Sequence, residues 1–202
     1  MKIGVLALQG DFKEHIEMLE RLGVKAREVR QPHELQGLDG LIIPGGESTT
    51  IGKIATEFGL VEPLRAFVSS EKPIWGTCAG MIMLAKDVGM RQPLLGVMDV
   101  KVKRNAFGRQ VDSFETDLAV QGLDGNAAKP YHAIFIRAPL IESVGPNVEV
   151  LAQLDDGTIV AARQGQLLAT SFHPELTRDT RFHEYFVKMM EDARQKAVSQ
   201  KQ

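Results

Sequence analysis

The chain has 202 residues, enough to bury one hydrophobic core of ordinary depth. Hydrophobic residues make up 44% and charged residues 25%, the balance of a globular rather than a disordered chain, and a formal net charge of −2 gives no electrostatic ground for binding nucleic acid or a membrane surface. No apolar run reaches membrane-spanning length, and the single cysteine excludes an internal disulfide.

The opening Met1-Lys2-Ile3-Gly4-Val5 runs straight into a strand pattern with no cleavable leader, and a lone thiol in such a chain predicts a reducing, cytoplasmic setting. Residues 2–9 read as a buried strand. Asp11 then predicts a helix N-cap, with Glu14 three residues later closing a capping box. Phe12, Ile16, Leu19 and Leu22 recur at helical spacing until Gly23 stops the helix. Strands are expected at 25–29 and 38–44, helices at 51–58 and 61–69, a strand at 73–76 and a helix at 79–86. This alternation predicts an α/β fold: three layers, a mostly parallel open sheet with helices on both faces. The second half is richer in strands, expected at 97–103, 133–138, 148–154, 159–164 and 167–171. Asp155-Asp156-Gly157 marks a hairpin turn. A final helix is expected over 180–196, with Phe182, Phe186, Met189 and Ala193 as its apolar stripe. No linker or repeat interrupts the chain, so residues 1–196 are read as one domain and 197–202 as a frayed tail.

Three segments carry chemistry. In Gly76-Thr77-Cys78-Ala79-Gly80 a strand ends and a helix begins, which places Cys78 on a sharp turn at the positive end of a helix dipole, a setting that favours a thiolate nucleophile. A buried structural cysteine is the plainer alternative. A nucleophile of this kind needs a base and a group to orient the base. Of the five histidines, His15 and His183 fall on helices at positions read as solvated, and His33 and His132 fall in loop-like stretches. None has metal-ligand spacing, so no zinc site is expected. His173 follows an apolar strand in His173-Pro174-Glu175. Proline biases His173 toward an extended backbone, where residues two apart share a side, so Glu175 can hold one ring nitrogen while the other faces a thiol. A solvated turn is the competing reading. Third, Pro44-Gly45-Gly46-Glu47-Ser48-Thr49-Thr50 presents paired glycines after a strand, whose N–H groups can bind an oxyanion. A phosphate-binding loop fails in detail, because its first glycine would fall on Glu47 and Ile54 stands where Ser or Thr is required.

The ordered set of a Pro-Gly-Gly loop, a Gly-x-Cys-x-Gly turn and a late His-Pro-Glu resembles the class I glutamine amidotransferase family, over nearly the whole chain. Gly4-Val5-Leu6-Ala7-Leu8-Gln9-Gly10, Gly45-Gly46-Glu47-Ser48-Thr49-Thr50, the segment from Arg104 to Phe114 and Phe135-Ile136-Arg137-Ala138-Pro139 are similar to the glutaminase subunits of pyridoxal 5′-phosphate synthases. The resemblance implies a flavodoxin-like fold. It implies Cys78 as nucleophile, His173 as base and Glu175 as its orienting partner, with an oxyanion site at the N–H groups of Gly46 and Ala79. It further implies glutamine contacts at Gly46, Glu47, Ser48, Arg104, Ile136 and Arg137, and no cofactor or metal. The chain has no room for a synthetase domain. The implied partner is therefore a separate (β/α)8-barrel synthase that takes the ammonia into pyridoxal 5′-phosphate, with a dodecameric barrel core carrying one glutaminase on each subunit. The rivals are the glutaminase of another amidotransferase, a different cysteine hydrolase on a similar sheet, or a non-catalytic scaffold that kept the fold.

Overall fold

The computed structural model describes residues 1–104, 113–123 and 129–199. The elements run in order β1 (Lys2–Leu6), α1 (Phe12–Arg21), β2 (Lys25–Val29), β3 (Gly40–Ile43), α2 (Ser48–Glu57), α3 (Val61–Ser69), β4 (Ile74–Thr77), α4 (Ala79–Leu84), β5 (Ala85–Asp87), β6 (Met98–Lys103), β7 (Ser113–Leu118), β8 (Tyr131–Ile136), β9 (Leu140–Val144), β10 (Glu149–Gln153), β11 (Ile159–Gln164), β12 (Leu167–Thr170) and α5 (Arg181–Ser199). Short 3-10 turns occupy Pro32–Leu35 and Pro174–Leu176.

The main sheet runs in the order β2-β1-β3-β4-β12-β11-β9-β6-β5, with β10 paired to β11. It is parallel from β2 through β12 and antiparallel from β12 through β6, so the expected parallel sheet is one half of a mixed one. Both faces are covered, and the strands alternate between two cores. Leu41 and Ile43 of β3, with Ile74 of β4, face one core with Ile51, Leu64 and Phe67 of the helices. Ile42 and Trp75 face the other, with Leu19 of α1 and Phe182, Phe186 and Met189 of α5. The separate β7–β8 hairpin closes this second core through Leu118, Tyr131 and Phe135.

Several local expectations are corrected. Asp11 stands at the N-cap position of α1 but makes no side-chain cap bond, so the capping box with Glu14 does not form. The helix expected over 79–86 ends at Leu84, where Ala85 turns extended and the chain pairs with β6. The strands β7 and β9 were not foreseen, and His132 lies on β8 rather than in a loop. The last helix continues through Ser199, past the expected start of the tail.

Candidate functional site

Three neighbouring parallel strands end together. Ile43 of β3 stands beside Gly76 of β4, and Thr77 of β4 stands beside Thr170 of β12. The segments that follow these strands hold Gly45-Gly46, Cys78 and His173, so registry of the sheet brings together groups far apart in sequence. This is the carboxyl end of an open α/β sheet, where such folds place their sites.

Cys78 itself carries the strain of its turn, with φ 49° and ψ −104°, a region that L side chains rarely enter. The flanking glycines serve close packing instead: a Cβ on Gly80 would lie 1.9 Å from the Ile43 carbonyl oxygen. The Cys78 N–H donates to Thr170 O at 2.8 Å, tying the turn to β12. Ala79 is the first residue of α4, so its N–H has no carbonyl to bond within the helix.

His173 is nearly buried, and its Nδ1 lies 2.7 Å from Glu175 Oε1. The expected pairing is present, although Glu175 reaches its partner from a 3-10 turn rather than an extended segment. Asp11, released from capping, brings Oδ2 to 3.5 Å from the same Nδ1. Burial alone would lower the imidazole pKa. Hydrogen bonds with Asp11, Cys78 and Glu175 outweigh it and push His173 up to about 12, so the ring holds both protons at neutral pH. Asp11, His173 and Glu175 bring ligand-type atoms within 4.8 Å of one another. Nδ1 and Oε1 of that cluster are already engaged with each other at 2.7 Å.

The glycine loop is held from two sides. The Asp11 N–H donates to Gly45 O at 3.1 Å, and Gln9 Oε1 accepts from the Glu47 N–H at 2.6 Å. A Cβ on Gly45 would sit 2.5 Å from His173 Cε1, so only glycine lets the loop lie against that ring. Glu47 caps α2 by accepting from the Thr50 N–H at 2.8 Å, and it pairs with Arg104 at 2.9 Å. Burial would raise the Glu47 pKa, but hydrogen bonds from Thr49 and Thr50 hold it at about 2, so the carboxylate stays charged.

A cavity of about 450 Å³ is lined by Gly46, Glu47, Ser48, Cys78, Ala79, Arg104, Ile136, Arg137 and His173, which are all the expected site residues except Glu175, packed behind His173. Gln9, Gly10, Asp11, Ile82, Pro139 and Leu176 complete it. Arg104 is engaged by Glu47 and by Gln92 Oε1 at 2.8 Å, whereas Arg137, at a positive φ of 43° where β8 ends, is exposed and makes no ion pair among the described residues. Residues 105–112 of the motif that begins at Arg104 lie outside the described residues.

Sequence reasoning missed one cluster. His15 and His183, read as solvated, are both fully buried, with His15 Nδ1 3.0 Å from His183 Nε2. The signal was present: His15 falls between Phe12 and Leu19 at helical spacing, and His183 stands three and seven residues before Phe186 and Met190.

Residues 5–192 match the SNO glutamine amidotransferase family. The chain belongs to that family. It is 58% identical over 191 residues to a pyridoxal 5′-phosphate synthase subunit PdxT of Moorella thermoacetica, covering 94% of this chain and all of the relative. It is 61% identical over 191 residues to the PdxT subunit of Herpetosiphon aurantiacus, covering 93% and 99%. A crystal structure of a glutamine amidotransferase superposes with a TM-score of 0.88 at 53% identity, over 94% of this chain and 98% of that one. PurLQS from Thermotoga maritima shares the fold, with a TM-score of 0.68 at 15% identity over 93% and 97% of the two chains. Among the described residues no helix is long and apolar enough to cross a membrane.

Proposed function

We propose that this chain is the glutaminase subunit of a pyridoxal 5′-phosphate synthase, hydrolysing L-glutamine at Cys78 and passing the ammonia to a separate synthase subunit. The observation that carries the chemistry is the convergence in one cavity of Cys78, on its strained turn, with His173, whose Nδ1 lies 2.7 Å from Glu175 Oε1. The Cys78 sulfur, whose proton rests on His173, attacks the side-chain amide carbon of glutamine. The N–H groups of Gly46 and Ala79 receive the oxyanion, and His173 gives its proton to the departing ammonia. His173 then takes a proton from water, which attacks the thioester and releases glutamate. Arg137 matches the α-carboxylate of the substrate and Glu47 its α-ammonium, while Ser48, Arg104 and Ile136 shape the cavity. The high identity to the PdxT subunits supports the choice of acceptor pathway.

The receiving synthase is a (β/α)8 barrel assembled as a dodecamer with one glutaminase per barrel, and the chain works in the cytoplasm, a reading that its single cysteine supports. The chain is nearly silent alone. Free ammonia without an acceptor wastes glutamine, and the Gly45–Gly46 peptide, clamped by Asp11 and Gln9, is a unit whose orientation a docked partner can select. The test treats the chain, alone and with its synthase subunit, with a diazoketone analogue of glutamine and follows glutamate release. Labelling confined to Cys78, activity rising when the synthase is added, and loss of both in a folded Cys78→Ala variant are expected. Full activity in Cys78→Ala, or in the isolated chain with no response to the synthase, overturns the respective part of the proposal.

A further inference from the structure

Behind the site lies a buried polar chain that the reaction as written does not use. His15 Nε2 lies 3.3 Å from Glu175 Oε2 and 3.2 Å from Thr77 Oγ1, and its other nitrogen meets His183 at 3.0 Å. Trp75 packs edge-on against both rings, which fixes their planes. None of this trio lines the glutamine cavity. Glu175 Oε2 has no hydrogen bond of regular geometry, and neither does His183 Nδ1.

We propose that His15, set by His183, is a positioning residue whose Nε2–H is directed at Glu175 Oε2 and fixes that carboxylate against His173. The inference rests on the assignment of Glu175 as the partner of the base. Both rings are neutral. Burial, reinforced by His183 and His173, holds the His15 pKa well below the usual histidine value, and burial lowers His183 to about 3. Each ring therefore has one N–H, and one proton lies between His15 Nδ1 and His183 Nε2. If His15 supplies it, the His15 lone pair faces the Glu175 carboxylate and the His183 Nδ1–H is buried with no acceptor. If His183 supplies it, the His15 Nε2–H faces Thr77 Oγ1 at 3.2 Å and Glu175 Oε2 at 3.3 Å, and the atoms of this cluster without a hydrogen-bond partner, His183 Nδ1 and Glu175 Oε2, are both acceptors. A buried orphan donor is the rarer and costlier defect, so the second arrangement prevails. A carboxylate buried this deeply is pushed toward its protonated form by desolvation. The His15 N–H, with His173 on the other oxygen, opposes that and holds Glu175 ionised.

The groups facing His15 are His183 from α5, Thr77 from β4, and Glu175 and His173 from the segment after β12. Replacing His15 with methionine keeps volume and removes the donor; glutamine carries an N–H near the position of Nε2. With the synthase subunit present, His15→Met is expected to lower kcat between about 3- and 10-fold, with KM within about twofold of the parent. The acid limb of its pH profile should move to higher pH, because Glu175 without the donor keeps its proton further up the scale. His15→Gln should recover most of kcat and the parent profile. Equal loss in both variants, or a His15→Met profile that superposes on the parent, overturns the proposal. Should His15→Met fail to fold, ¹⁵N-histidine spectra of the unmodified chain decide the matter: His15 must be neutral with its proton on Nε2, and a proton on Nδ1 refutes the relay. Activity retained by His173→Asn sinks the triad itself, whereas activity retained only by His15→Met, with His173→Asn inactive, sinks this inference alone.

Discussion

Removing the charge of Glu175 while keeping its shape isolates what the carboxylate does. Glu175 is 5% exposed and accepts from His173 Nδ1 at 2.7 Å, the short distance of a charge-assisted bond. Such a bond contributes roughly 1.5–3 kcal/mol and a neutral one about half of that. Glu175→Gln keeps an acceptor and loses the charge, costing about 0.8–1.5 kcal/mol, or about 4- to 13-fold in kcat. Glu175→Ala loses the whole contact and leaves the buried ring facing Asp11 at the longer distance of 3.5 Å, so about 10- to 150-fold is expected. Both should be milder than His173→Asn, which removes the proton carrier and costs about 10²–10⁴-fold. The pH profile adds a signed check. Burial lowers the His173 pKa, and three side-chain partners together lift it to about 12. Neutralising one of them lowers it, so the basic limb, where the imidazolium proton is lost, moves to lower pH in Glu175→Gln. Steady-state glutamate release with the synthase subunit added, measured across neutral and alkaline pH, reads both quantities. A Glu175→Gln variant as inactive as His173→Asn, or a basic limb that stays put or rises, refutes the argument.

Two further outcomes follow from single residues. Cys78→Gly should abolish turnover yet raise thermal stability: relieving a non-glycine residue at φ 49° is worth about 1–3 kcal/mol before the entropy of the added glycine is subtracted, leaving about 1 kcal/mol and a melting midpoint about 2–4 °C higher by calorimetry. Arg137→Met should raise KM for glutamine by about 10- to 100-fold with kcat within about threefold, because the guanidinium binds the α-carboxylate equally in ground and transition states; an unchanged KM removes Arg137 from the substrate site.

The first half of the fold was legible because parallel strands buried on both faces read as short apolar runs between amphipathic helices, and β2 and α3 fall where the periodicity put them. Strand β7 was missed because Ser113–Leu118 covers the core only through alternate residues, and its exposed positions are polar or acidic. In β9, Glu142 and Ser143 dilute an already short apolar signal. Within the site, the glycine-flanked cysteine and the His-Pro-Glu segment were legible as local chemistry. The strain carried by Cys78 was not, since a positive φ at a non-glycine residue leaves no mark in the sequence. Asp11 was misread because its sequence context fits a cap equally well, and only the tertiary position of His173 reveals the competing partner. The pairing of His15 with His183 joins the two ends of the chain, and no local pattern reports which distant polar group will satisfy a histidine on an apolar stripe.

The position of β12 orders events during biosynthesis. This strand enters between β4 and β11, and His173 and Glu175 follow directly behind it. A chain emerging from the ribosome therefore presents Cys78 and the glycine loop long before His173 and Glu175 are made. The slot beside β4 stays open until Leu167–Thr170 is translated and inserted. Chains that end before β12 therefore lack both His173 and Glu175.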